Sequence, residues 1–314
     1  MVIGIDLGGM SAKAAVMRNG ALEGKTTVAT SPEDTPQETA AKLAHLALDA
    51  AEKAGKKFEE IEAIGIGSPG AIDSNTGTVV SWTNFHWVNV ELAALVSKFS
   101  GKRVCVLNDA NAAALGEARY GAGVNYSDSI LVTLGTGVGG GIMIGGKLFE
   151  GYKCAGAEIG HMIIRQDGEL CTCGRKGCFE RYASAGALIR ATQRAMGVNR
   201  ESLLWKFAPT LDSVNGRTAF LARAEGDETA ERVVSDYIAA LGEGLVNLVN
   251  ILRPQAIILG GGVSNEGENL LVPLREYMRP RIYAADYAPV DVVCAALGND
   301  AGLYGAAVFA EERK

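Results

Sequence analysis

Four side chains within eighteen residues are of types that bind a metal: His161, and then the three thiols of Cys171-Thr172-Cys173-Gly174-Arg175-Lys176-Gly177-Cys178. Two thiolates two positions apart, a glycine-bearing loop and a third thiolate can close tetrahedrally on one Zn²⁺, with His161 as the fourth ligand. Three of the six cysteines and one of the three histidines fall in this window. The alternatives are a redox pair, which is usually Cys-x-x-Cys, and buried free thiols, which rarely gather around Gly-Arg-Lys-Gly. A structural zinc site at His161, Cys171, Cys173 and Cys178 is therefore expected.

Three glycine-rich corners follow stretches that read as strands: Gly8-Gly9, Gly135 to Gly141, and Gly260-Gly261-Gly262. Glycine turns with positive φ and lets backbone N–H groups approach an anion unhindered. Asp6 stands at the mouth of the first corner, where a carboxylate can hold a Mg²⁺-bound water beside phosphates. Tight hairpins explain one such corner easily and three less easily, so nucleotide phosphates are expected here. Gly-Lys-Ser/Thr is absent, and no corner reads as running straight into a helix. P-loop and dinucleotide fingerprints are thereby excluded. A two-lobed, actin-like ATP cleft fits better.

Asn108-Asp109 ends an apolar stretch and precedes Ala110-Asn111-Ala112-Ala113-Ala114. Asp109 could cap that helix, a role worth ~1 kcal/mol. It could instead accept a hydroxyl proton during phosphoryl transfer. Glu158, Glu180 and Asn84 lie in glycine-rich or aromatic surroundings that suit sugar hydroxyls, or they are ordinary loop polarity.

The elements that must position these groups alternate between strand and helix. Val2–Asp6, Ala12–Arg18 and Leu22–Val28 read as strands around an Asn19-Gly20 hairpin turn, and Thr35–Ala54 as a helix ended by Gly55. Ile61–Gly67 and Val104–Leu107 read as buried strands, and Ala110–Tyr120 as a helix. The pattern restarts with Ile130–Leu134, Val138–Ile144 and Lys147–Phe149 around Gly145-Gly146, 126 residues beyond the first hairpin turn. A long helix, Glu228–Leu252, leads to the strand Ala256–Leu259. We read this as a duplication, with unrelated hairpins as the alternative: two α/β lobes, residues 1–108 with 299–314 and residues 109–298, each turning a glycine corner toward a shared cleft.

At 314 residues, 48% apolar and 21% charged, the chain can bury a sizeable core. A net charge of −6 argues against general nucleic-acid binding. No apolar run is long enough for a membrane span, and Met1-Val2-Ile3-Gly4-Ile5-Asp6 lacks a signal-peptide pattern, so a cytoplasmic protein is expected.

Taken together, these residues resemble the ROK family (repressor, open reading frame, kinase). The resemblance rests on Gly4-Ile5-Asp6-Leu7-Gly8-Gly9, Gly65-Ile66-Gly67-Ser68-Pro69-Gly70, Asn108 through Ala114, and Leu134-Gly135-Thr136-Gly137-Val138-Gly139-Gly140-Gly141. Glu158-Ile159-Gly160-His161, the cysteine loop through Gly177-Cys178-Phe179-Glu180, and Leu259-Gly260-Gly261-Gly262-Val263 complete it. The likeness implies an α/β, actin-like (ribonuclease H-like) kinase transferring phosphate from Mg²⁺-ATP to the 6-hydroxyl of a hexose. Glucose is the first expectation, an N-acetylhexosamine (GlcNAc or ManNAc) the second, and a sugar-sensing regulator the third. It further implies Asp109 as the base and Asn84, Asn108, Glu158, His161 and Glu180 as hexose ligands. The nucleotide would lie on Asp6, Gly8, Gly9, Ser11, Lys13, Gly135, Thr136, Gly137, Gly139, Gly260, Gly261 and Gly262. A dimer or tetramer of identical chains is expected. The chain departs from the family where Thr usually follows the first Gly-Gly: here Met10 stands, followed by Ser11.

Overall fold

The computed structural model describes residues 1–313. The chain opens on β1 (Val2–Leu7), β2 (Ser11–Arg18) and β3 (Ala21–Ala29). Asn19 and Gly20 join the last two with φ of 49° and 78°, as a two-residue hairpin turn of matching twist requires. Helix α1 (Pro36–Lys53) starts on a reciprocal cap: the Thr35 hydroxyl accepts the Glu38 N–H while the Glu38 carboxylate accepts the Thr35 N–H. Next come β4 (Ala63–Ser68) and a small antiparallel sheet, β5 (Ala71–Asp73), β6 (Thr78–Trp82) and β7 (Trp87–Val90). Helix α2 (Leu92–Ser100), strand β8 (Arg103–Asn108) and helix α3 (Asp109–Tyr120) follow.

Strands β9 (Ser129–Leu134), β10 (Val138–Ile144) and β11 (Lys147–Phe149) repeat the opening trio. Helices α4 (Glu180–Ala183), α5 (Ala185–Val198), α6 (Leu204–Phe207), α7 (Thr218–Ala224) and α8 (Glu228–Leu252) lead to β12 (Ala256–Gly260). Helix α9 (Glu268–Met278), strand β13 (Asp291–Cys294) and helix α10 (Ala301–Glu312) end the chain. The two large sheets run β3-β2-β1-β4-β8 and β11-β10-β9-β12-β13, the same order twice, as a duplication requires. One sequence expectation is corrected. Gly262 opens a 3₁₀ turn, Gly262–Glu266, so the third glycine corner does run directly into helical backbone. The polar Ser264-Asn265-Glu266-Gly267 that hides this turn carries no apolar periodicity.

Residues 1–131, 141–157 and 296–313 form one compact unit, and residues 132–140 and 158–295 another. In the first, β1 is covered on both faces. Ile3, Ile5 and Leu7 join the core beneath α1, while Val2 joins the one beneath α3 and α10. That is the period-two alternation of a strand in the middle of a three-layer sandwich. Helices α3 and α10 meet backbone to backbone: a Cβ on Gly116 would strike the carbonyl of Ala301, and one on Gly305 the carbonyl of Ala112. Among the described residues no helix is long and apolar enough to cross a membrane.

Gly305→Ala should therefore lower unfolding stability by about 1–3 kcal/mol, the usual cost of overpacking, because backbone rather than a flexible side chain must yield. Denaturant titration with an unchanged midpoint would show that α3 and α10 do not need this approach.

Candidate active site

The first unit carries Asp6, Gly8, Gly9, Ser11, Lys13, Asn84, Asn108 and Asp109. Asp6 lies near the end of β1, directly across from Lys13 on β2. Burial pushes its carboxyl above the ordinary range, Lys13 pulls it back, and the neighbouring charge of Asp109 pushes it up again. The turn at Gly8 is pinned from outside the motif. Gly8 N–H donates to the Ser11 carbonyl at 2.9 Å, and the Thr30 hydroxyl donates to the Gly8 carbonyl at 2.9 Å. The Thr30 N–H reaches the Met10 carbonyl at 3.1 Å. Met10 turns its side chain outward and is 86% exposed, whereas Ser11 is half-buried.

Helix α3 is capped by Asn108. Its side-chain oxygen accepts the N–H groups of Ala110 (2.9 Å) and Asn111 (3.2 Å), and its amide nitrogen donates to the Gly70 carbonyl at 3.1 Å. Capping is thereby assigned to the residue before Asp109. The Asp109 carboxylate accepts the Ala110 N–H at 2.9 Å. Burial pushes its carboxyl above the ordinary range, against the N–H groups of Ala110 and Asp109 and the Asn108 side chain, which pull it down. Asn84 is exposed on the 3₁₀ turn Thr83–Phe85, near Gly9. The turn is held by Trp82 stacked on Phe85 at 3.8 Å, with Trp87 edge-on to both.

The second unit carries the remaining candidates. Gly135, Thr136 and Gly137 make a tight turn, Gly135 N–H to the Gly137 carbonyl at 3.1 Å, and the Gly135 carbonyl accepts the Ala185 N–H that begins α5. A Cβ on Gly137 would sit 2.5 Å from a carboxylate oxygen of Glu180, so the glycine corner and Glu180 touch. Gly139 lies on β10; Gly261, with φ of 86°, makes the bend between β12 and the 3₁₀ turn at Gly262. Glu158 is exposed just before the turn Ile159–His161.

His161, Cys171, Cys173 and Cys178 converge, with one ligand atom from each lying within 4.8 Å of all the others. Cys171 Sγ is 3.7 Å from His161 Nδ1, and Cys173 Sγ is 3.6 Å from Cys178 Sγ. Bonds of ordinary Zn–S and Zn–N length at tetrahedral angles give ligand separations of about 3.6–3.8 Å, so the donor set fits that ion. Without an ion, burial and the neighbouring thiols push the Cys178 thiol up to about 12. The N–H of Arg175 holds Cys173 down. Cys171 donates to Glu180 Oε1 at 2.9 Å. Phe179, fully buried, packs where Gly244 of α8 leaves room and anchors the loop.

Two positioning residues escaped sequence reading. Thr30 lies nineteen residues beyond Ser11, with no motif to mark it. Glu117, fully buried in α3, accepts the N–H groups of Ala122 (2.7 Å), Leu297 (2.8 Å) and Ala296 (3.1 Å). Its only sequence signal was a charge inside an alanine-rich helix.

The repeated sheet order, with its glycine corners, the half-buried Asp109 beside the Asn108 cap and the Cys₃His cluster, is that of a sugar kinase of actin-like fold. The chain belongs to the ROK family, whose model matches residues 2–313. It is 36% identical to the glucokinase of Thermotoga maritima over 99% of this chain and 98% of that protein. It is 38% identical to the glucokinase of Streptomyces coelicolor, again over 99% and 98%. The crystal structure of a ROK family glucokinase from Streptomyces griseus with glucose and AMPPNP superimposes with a TM-score of 0.84 at 38% identity, covering 99% of each chain.

Asn108→Ala should cost about 1–2 kcal/mol of unfolding stability, because it removes the α3 cap and strands two N–H groups, while Asn108→Ser should recover most of it. Equal denaturation midpoints for wild type and the alanine variant would remove Asn108 from this role.

Proposed function

We propose that the protein phosphorylates glucose at its 6-hydroxyl with ATP. The observation that carries this reading is the state of Asp109. It is relieved of capping by Asn108 and its carboxyl is raised by burial, so it is a better proton acceptor than an exposed aspartate. Asp109 takes the proton of the attacking hydroxyl as the oxygen–phosphorus bond forms. The sugar-hydroxyl ligands proposed on the first unit are Asn84 and Asn108, and those proposed on the second are Glu158, His161 and Glu180. Lys13 and the glycine corners face the phosphates, and Asp6 holds a water of the Mg²⁺ that arrives with ATP. That ion balances the charge gathering on the transferred phosphoryl group. Similarity to proteins named glucokinase supports glucose, rather than an N-acetylhexosamine, as the acceptor in this reading.

The Cys₃His cluster holds zinc in this reading, supported by the tetrahedral spacing of its donors. With Nδ1 turned to the cluster, His161 keeps Nε2 for a sugar hydroxyl. Cys171, once a thiolate, has no hydrogen to give, and Glu180 is released from it to accept one from the sugar.

A panel of hexoses and N-acetylhexosamines in a coupled ADP-release assay should give the highest kcat/KM with glucose; a preference for GlcNAc or ManNAc would replace the substrate assignment. Asp109→Asn should keep glucose binding and lower kcat by about 10²–10⁴. Because the base must be ionised, the acidic limb of kcat/KM in the wild type should lie above the ordinary aspartate value of about 3.9. A variant retaining a third of wild-type turnover would sink this mechanism.

Cys173→Ser should lose metal, measured by elemental analysis, and lose sugar phosphorylation while still binding ATP. Fully active wild type that contains no zinc would exclude the metal role.

A further inference from the structure

Behind α4, on the second unit, α5 and α8 border a cavity of about 470 Å³ that no step of the kinase reaction uses. Arg165, Arg181, Arg194 and Arg232 line it, against only Glu169 and Asp236, an excess of two positive charges. The pairing is poor. Arg181 and Arg194 share Glu169 at 3.4 and 3.5 Å, Arg165 lies over the ring of Tyr182, and Arg232 reaches only the Thr229 hydroxyl at 3.4 Å. Arg190, on the α5 side, donates to the Arg181 carbonyl, and its charge is opposed first by burial and then by Arg181. The Nε atoms of Arg181 and Arg190 are buried with no hydrogen-bond partner.

Arg181 and Arg190 are half-buried and Arg165, Arg194 and Arg232 exposed, so the cavity wall carries clustered positive charge that Glu169 balances only in part, and such a cluster attracts an anion. A tetrahedral oxyanion matches the forked geometry of the guanidiniums. The rest of the wall is carbon: Ala191, Ala195, Val198 and Val233, with the ring of Tyr237. The volume falls in the range of small-molecule sites rather than of a single ion. The geometry points to a second ligand site, for a small organic phosphate whose phosphoryl group is held by Arg181, Arg194 and Arg232 and whose carbon skeleton lies along α5. Arg181 directly follows Glu180 in α4. The occupied site therefore acts on the affinity for hexose, a consequence that rests on the sugar role proposed for Glu180.

Calorimetric titration should be done with the full chain, its substrate sites filled by glucose and AMPPNP, using glucose 6-phosphate and, separately, inorganic pyrophosphate as probes. Glucose 6-phosphate should bind with one-to-one stoichiometry, and added salt should weaken it. Arg194→Ala/Arg232→Ala, which removes two exposed side chains, should weaken it at least tenfold without changing kcat in its absence. Pyrophosphate binding more tightly than the sugar phosphate would overturn the organic-phosphate assignment in favour of a bare oxyanion. No binding by wild type, or equal binding by the double variant, would overturn the site. The KM for glucose with and without glucose 6-phosphate, compared between wild type and the double variant, reads the coupling. A shift seen only in wild type supports it, and an unchanged KM alongside intact binding removes the coupling and the Glu180 link but leaves the site.

Discussion

The backbone contact between α3 and α10 is the constraint on which the first unit depends. Gly116 and Gly305 let the two helices approach until carbonyls occupy the space a side chain would need. Helix α3 is thereby fixed against the layer that also covers β1 and β4, and its first turn carries Asn108 and Asp109 to a defined place. One turn before its end, Glu117 fastens the same helix to the segment leading into α10, with three N–H groups on one buried carboxylate. Such a carboxylate is tolerable in an apolar interior only because its lone pairs are occupied.

Most regular elements were legible because their patterns are local. The Asn19-Gly20 and Gly145-Gly146 turns, the Thr35 cap and the 25-residue α8 announce themselves within a few positions. The β5-β6-β7 sheet did not, since its exposed Val80 and Val88 and buried Trp82 and Trp87 blur the alternation. The Cys₃His cluster was legible as types and spacing, and its convergence follows the hairpin-like bridges Ile163–Cys178 and Leu170–Lys176. What sequence alone could not decide was the division of labour at Asn108-Asp109. Both residues are good helix caps, and only the hydrogen bonds show which of them caps α3.

Asp6 and Asp109 also carry a cost. A carboxyl held above its ordinary range opposes folding at neutral pH, fully above the raised value, and the penalty vanishes as pH falls toward the unfolded value. Part of the core beneath α3 and α10 therefore offsets the cost of these two carboxyls. A similar cost falls on the second unit, where burial and the neighbouring thiols disfavour the ionised form of Cys178.

The layer that α10 supplies has a consequence for the order of assembly. Strand β1 is made first and α10 last, yet α10 lies directly on β1 and β4. While the chain is being synthesised, the first sheet has one face covered by α1 and the other covered only in part, by α3, until α10 has emerged. The continuous stretch from Glu158 to Ala295 meets no such delay, because most of its partners lie within itself. The later part of the sequence can thus become native ahead of the earlier part, and an apolar strand face waits longest for shelter, the kind of surface that chaperones engage.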